Sequence, residues 1–273
     1  MGNLGPAAAQ MGSSHGPLDP APAIQVRDLS FSYEDKSILE DLTFQIPPEQ
    51  FTVLLGKNGS GKSTLLRILT GLLDFRQGAV SVMGQELRGL SSGQRARIIG
   101  FLPQQHRAVF PFVVRDVVLT GRASYVRLVP GIEDEDKVDR ALERVGITHL
   151  AERPFTELSG GEQQMVMIAR VLAQESKIIM LDEPTSHLDF VNQSRLLSLV
   201  RELVDSGLTV LAVLHDPNGA FLYGDHFVFL RDGRLEELAE GESAWDRQVL
   251  ERIYDADLQT IPHGERAIVV PRI

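Results

Sequence analysis

The chain has 273 residues, with 27 Lys and Arg against 37 Asp and Glu for a formal charge of −10, 43% apolar residues and no Cys. That length holds one large domain or two small ones around an ample core. The missing thiols exclude disulfide scaffolds, thiolate metal centres and cysteine nucleophiles, and the acidic balance argues against holding nucleic acid by bulk charge.

The longest apolar runs, such as residues 109–114 and 208–214, fall short of the ~18 residues of a membrane span. Residues 1–22 are rich in Ala, Gly, Pro and Ser. They lack a secretory signal's basic start and apolar stretch, and they read as a disordered leader that cannot offset its ordering entropy. From residue 24 to 55 the pattern is strand-like. Ile24 and Val26, then Leu29, Phe31 and Tyr33, alternate with polar neighbours, and residues 51–55 are continuously apolar. A Gly-rich turn then leads into a helix predicted over 63–73, with short strands over 79–82 and 98–102. Residues 113–121, 133–145 and 161–174 read as helices, the last placing Met165, Ile168, Ala169 and Leu172 on one face. A strand over 178–181, a helix over 191–204 and strands over 209–214 and 227–230 follow, and Asp232-Gly233 marks a tight turn. Fully apolar strands alternating with helices predict an α/β domain whose sheet is largely parallel and covered on both faces, with a helical block inserted.

Gly56-Lys57-Asn58-Gly59-Ser60-Gly61-Lys62-Ser63, continued by Thr64, fits the phosphate-loop pattern G-x-x-x-x-G-K-[ST]. Glycines let successive backbone N–H groups curl around one anion, and the following helix adds its positive end. Lys62 supplies charge near the β and γ phosphates, and the Ser63 hydroxyl is a Mg²⁺ ligand. The apolar strand Ile178-Ile179-Met180-Leu181 ends in Asp182 and Glu183. Carboxylates at the C-terminal edge of a buried strand lie where open α/β sheets bind ligands. Asp182 is placed to hold the metal and Glu183 to orient or deprotonate a water. Leu158-Ser159-Gly160-Gly161-Glu162 reads as a capping box, Ser159 with Glu162. Its two adjacent glycines instead suit close approach to an anion, and both readings stand.

With these residues in view, the chain from about Ile24 to Gly233 resembles an ATP-binding-cassette (ABC) ATPase, the nucleotide-binding subunit of an ABC transporter. The phosphate loop matches Walker A, and residues 178–183 match Walker B with Glu183 as the catalytic carboxylate. Residues 158–162 resemble the signature, with Glu162 where Gln is usual. Phe101-Leu102-Pro103-Gln104 is similar to the Q-loop, Ser186-His187-Leu188-Asp189 to the D-loop, and Leu214-His215-Asp216 to the switch histidine.

The resemblance implies a P-loop ATPase domain over 23–240, with a mainly parallel core sheet, an antiparallel β subdomain and a helical subdomain inserted at about 104–175. Residues 241–273 would be a short tail packed on it. It implies ATP and Mg²⁺ as cofactors, the metal held by Ser63, Asp182 and Gln104, and Tyr33 stacked on adenine. Gln104 would sense the metal and the attacking water, and His215 would contact the γ-phosphate. Ser159, Gly160, Gly161 and Glu162, with Asp189, would complete the nucleotide site across a dimer of two copies.

The implied partners are a second copy, a polytopic membrane permease and a substrate-binding protein, with the chain cytoplasmic on the inner face of the membrane. Residues 111–122, Pro262-His263 and Val269-Val270-Pro271 resemble importers of iron-siderophore, haem, cobalamin or molybdate cargo. Two other readings stay open: a soluble ABC ATPase doing mechanical work on nucleic acid or a protein assembly, and a P-loop kinase. Phe110 and Phe112, flanking Pro111 just past the Q-loop, read as anchors for the permease, whereas Val114, Val117 and Val118 read as packing of the helical block.

Overall fold

The computed structural model describes residues 21–104, 111–126, 129–186, 188–239, 242–264 and 266–272. Its first layer is an antiparallel sheet in the order β2-β1-β4-β5, formed by β1 (Ile24–Tyr33), β2 (Lys36–Ile46), β4 (Gln77–Val82) and β5 (Gln85–Glu86). Ile24 is the register point, opposite Ile46 on one side and Val82 on the other.

The second layer is a six-stranded sheet in the order β10-β9-β3-β8-β7-β6. Its strands are β3 (Phe51–Leu55), β6 (Ile99–Leu102), β7 (Ile178–Asp182), β8 (Thr209–Val213), β9 (His226–Arg231) and β10 (Arg234–Leu235). All its pairings are parallel except β9 with β10, which the Asp232-Gly233 turn joins as a hairpin. Both turn residues have positive φ, 48° and 80°, as a two-residue hairpin loop of type I′ requires.

The period of two in these strands divides the interior into two cores. Phe51, Val53 and Leu55, with Ile179, Leu181, Val210, Ala212, Phe227 and Phe229, face the helices α5 (Gly160–Ala173) and α6 (Phe190–Asp205). Leu54, Ile178, Met180, Leu211, Val213, Val228 and Leu230 face α1 (Lys62–Leu69) and the antiparallel sheet. Strands buried on both faces have no polar side to display, so their sequences run continuously apolar.

Between β6 and β7 lie α3 (Val114–Leu119), α4 (Ile132–Val145) and α5. Helix α4 buries Val138, Ala141, Leu142 and Val145 and ends on left-handed Gly146, φ 75°, the spacing and cap of an amphipathic surface helix. Val114 and Val118 are fully buried. The buried Arg122 ties this block together. It bonds Asp134 (2.9 Å), the Ala173 carbonyl (3.0 Å) and Glu175 (3.2 Å) and lies 4.1 Å from the Tyr125 ring centroid.

Four features differ from the expectations above. Helix α5 buries Gln164, Val166, Met167 and Val171 as well as Met165, Ile168 and Ala169 of the predicted face, while Leu172 is partly buried, because it is packed between the sheet and the other inserted helices. Helix α1 stops at Leu69, four residues short of the predicted end; Thr70 turns its hydroxyl onto the Leu66 carbonyl. The region after Asp205 holds more structure than the pattern suggested: α7 (Pro217–Tyr223), α8 (Arg247–Tyr254) and a hairpin of β11 (Leu258–His263) with β12 (Arg266–Pro271). Helix α2 (Ser92–Ile98), closed by a Ser91–Gln94 capping box, was likewise too short for its periodicity to register.

Candidate active site

The phosphate loop leaves the C-terminal end of β3 and enters α1. Gly61 is the helix N-cap at φ 104°, and Leu65 N–H to Gly61 O (2.8 Å) is the first helical hydrogen bond. The N–H groups of Lys62, Ser63 and Thr64 therefore precede the helical ladder and are available to an anion. Gly56 (φ 147°) lies so close to β9 that a Cβ there would come within 2.0 Å of the Leu230 carbonyl oxygen. Inside the loop, the buried Ser60 hydroxyl has no hydrogen-bond partner among the described residues. An orphaned buried hydroxyl within a curl of N–H groups suits an oxyanion.

Lys62 is 5% exposed. Its Nζ donates to the carbonyls of Gly56 (2.8 Å) and Lys57 (2.7 Å). Burial lowers its pKa, and the charges of Glu183 and Asp182 oppose that shift. Asp182, the last residue of β7, is also buried, and burial raises its pKa against the pull of the Ser63 hydrogen bond. Ser63 Oγ donates to Asp182 Oδ1 at 3.1 Å. A hydroxyl and a carboxylate at this separation are hard oxygen donors, and no cluster of three His, Cys, Asp or Glu suited to a metal occurs among the described residues. The set fits Mg²⁺, which takes one or two protein ligands and completes its shell with phosphate and water.

Glu183 continues past β7 with φ 53° and donates its N–H to the Val213 carbonyl (3.2 Å). A left-handed non-glycine residue at a strand end is a strained position of the kind held at functional sites. Its Oε2 accepts from Gln104 Nε2 and Ser186 Oγ (3.1 Å), and His215 Nε2 lies 2.6 Å from its Oε1. Buried Gln164 bonds the following Pro184 carbonyl (2.8 Å), fixing the turn that aims Glu183.

Lys62, Ser63, Asp182, Glu183, Gln104 and His215 thus form one constellation. Gln104 and His215 both meet Glu183, which places them on the candidate base itself. Ser159 and Glu162 pair with one another at the start of α5: Ser159 N–H and Oγ donate to Glu162 Oε2 (2.8 and 2.7 Å), and Glu162 N–H donates back to Ser159 Oγ (3.4 Å). A Cβ on Gly160 would meet open space, and one on Gly161 would come within 3.2 Å of Asn192 Nδ2. Asp189 caps α6, accepting from Asn192 N–H (2.8 Å). Tyr33 ends β1 with 43% exposure and its ring edge-on to Phe31 at 4.8 Å, so it is not a core residue. His187 and Phe110 lie outside the described residues.

Residue-by-residue reading missed the site roles of Ser186 and Gln164. Pro184 marks a break there, but it favours an extended residue before it, not the left-handed Glu183 observed (φ 53°).

A family profile for ABC transporters matches residues 39–186. The chain belongs to the ABC transporter family. It is 39% identical over 248 residues to the ferric enterobactin transport ATP-binding protein FepC of Escherichia coli, covering 89% of this chain and 92% of that one. It is 38% identical over 248 residues to the hemin import ATP-binding protein HmuV of Pseudomonas putida, covering 89% and 96%. Among solved structures, an inward-facing metal-chelate-type ABC transporter superposes with TM-score 0.80 at 32% identity, covering 92% of this chain and 98% of that one. A dimeric bacterial ABC transporter cassette superposes with TM-score 0.71 at 29% identity, covering 78% and 97%. As an ABC transporter ATPase the chain uses ATP, and ATPases of this family work as dimers with a membrane permease.

Proposed function

We propose that this ABC ATPase powers import of a metal chelate, of the iron-siderophore or haem class, through a separate permease. The observation carrying this reading is the match to iron-chelate and haem importer subunits over 89% of the chain. That span reaches beyond the ATPase core into the tail, and nothing comparable favours work on nucleic acid or kinase chemistry. No helix among the described residues is long and apolar enough to cross a membrane. In this reading the subunit sits on the cytoplasmic face of the permease, with a substrate-binding protein delivering cargo from the other side. The ATPase unit runs over 23–240, with 104–175 as its helical insert.

The geometry supports the following assignment of roles. The loop N–H groups and Lys62 hold the phosphates, and Tyr33 is the candidate adenine platform. Ser63 and Asp182 would hold Mg²⁺, joined by the Gln104 amide oxygen, and the metal when bound neutralises charge on the phosphates. Glu183 orients the attacking water and accepts its proton, while Gln104, Ser186 and His215 keep its carboxylate aimed. Ser159, Gly160 and Gly161, at the exposed start of α5, close over the γ-phosphate bound by a second copy, with Asp189 beside them.

Deleting the gene is expected to abolish uptake of labelled ferric siderophore or haem, restored by the intact gene. Unchanged uptake of every metal chelate offered would overturn the cargo assignment. Phe112, 57% exposed just before α3, is the described half of the anticipated docking pair. Phe112→Ala is expected to leave ATP binding by the isolated subunit within about twofold while lowering recovery of the permease complex several-fold, as loss of an aromatic anchor does. Pull-down alongside nucleotide titration checks it, and normal assembly with normal transport would remove Phe112 from the interface.

A further inference from the structure

The tail meets the phosphate loop at Asp255 and packs along α7, the helix that follows His215. Asp255, the left-handed C-cap of α8 (φ 47°), pairs its carboxylate with Lys57 Nζ in the phosphate loop and lies 3.5 Å from Arg231. Lys57 and Arg231 hold the Asp255 carboxyl below the usual carboxylate range. Next to Asp255, the partly buried Tyr254 keeps its hydroxyl out of solvent near Asp216, whose charge adds to burial in raising the phenol pKa. Asp216 immediately follows His215 and caps α7. Farther on, β12 exchanges two hydrogen bonds with Asn218 in the first turn of α7: Val269 N–H to Oδ1 (2.7 Å) and Nδ2 to the Val269 carbonyl (3.0 Å). Arg266 then holds the carbonyls of Phe221 and Gly224 at the other end of that helix.

The Asp255 contact falls on the first residues of the loop, while the others hold α7. Gly56 is pressed on Leu230, and Lys57 is bridged through Asp255 to Arg231, the next residue along β9. The Lys57 carbonyl is also one of the two acceptors of Lys62 Nζ. A rotation of the Lys57 peptide would therefore disturb the placement of the phosphate-binding lysine.

We infer that Asp255 is a positioning residue for ATP binding: it acts through Lys57 to fix the start of the phosphate loop, so the C-terminal tail braces the nucleotide site.

Asp255→Asn tests this, since Asn tolerates the left-handed backbone and only the charge is lost. The KM for ATP is expected to rise about threefold, the size that an exposed pair in a held geometry reaches. The expected kcat and thermal midpoint are those of the parent, and the difference should shrink at high salt. Asp257→Asn, whose carboxylate instead serves Arg247 (3.0 Å), should leave KM unchanged. In a double-mutant cycle, adding Asp255→Asn to Lys57→Met should raise KM no further than Lys57→Met alone. An unchanged or lowered KM in Asp255→Asn overturns the inference. So does a KM rise that follows a fall in thermal midpoint, and so do effects of the two substitutions that multiply independently.

Discussion

Glu183→Gln will lower steady-state ATP turnover by at least about 10²-fold, the low end of what a positioned general base supplies, while the protein still binds ATP. The substitution keeps the side chain's size and one acceptor oxygen, enough for the Gln104 and Ser186 contacts on Oε2, but removes the proposed proton acceptor. With the signature residues serving a phosphate bound by a second copy, as proposed, a chain that binds ATP without cleaving it should accumulate as a dimer. Phosphate release under saturating Mg²⁺ and ATP, paired with light scattering, reads both effects. Turnover within a few-fold of the parent would assign the proton to another group. A monomer under the same conditions would remove the dimer from the scheme.

Lys62→Ala is expected to weaken ATP binding by more than about tenfold, in the range of a hydrogen bond to a charged group. Lys62 carries its ammonium in a buried position that disfavours charge, among Asp182 and Glu183, which favour it. Its burial leaves the side chain few competing solvent contacts. Equilibrium titration with a fluorescent ATP analogue measures the loss. A thermal melt of the same sample separates it from collapse of the loop, since Lys62 also bonds two loop carbonyls. Binding unchanged from the parent would deny Lys62 its phosphate contact.

The parts of this molecule that were readable before any coordinates are those where one local rule acts alone. The buried strands β3, β7 and β8 announce themselves as apolar runs, and the loop between β3 and α1 is legible because glycines, a lysine and a serine must stand at fixed separations. The pairing of Asp182 with Ser63 could be anticipated from the carboxylates at the end of β7. The convergence of Gln104, Ser186 and His215 on Glu183 could not, because it depends on three separate chain segments meeting at one strand end. The tail was legible least. Helix α8 is eight residues long and the β11–β12 hairpin contains Pro262, so neither periodicity nor propensity marks them strongly. What orders them is tertiary contact: Trp245 edge-on to Phe221 and Phe227 at 6.2 and 6.3 Å, with Val249, Leu250 and Ile253 buried beneath. Helix α5 was legible as a helix but the extent of its burial was not, since the predicted face is only part of what it buries.

The strand order also governs how the chain must be made. β3 is finished at Leu55, yet its two neighbours are β8, beginning at Thr209, and β9, beginning at His226. Until synthesis has passed Arg231 the phosphate loop hangs from a strand with both hydrogen-bonding edges open, and each edge is a template for pairing with other chains. Joining partners more than 150 residues apart, Phe51 with Val210 and Thr52 with His226, makes the chain-closure entropy large and folding slow. A nascent chain cut short before β8 therefore leaves its most apolar strand exposed, which makes such fragments substrates for chaperones and proteases rather than partly working ATPases.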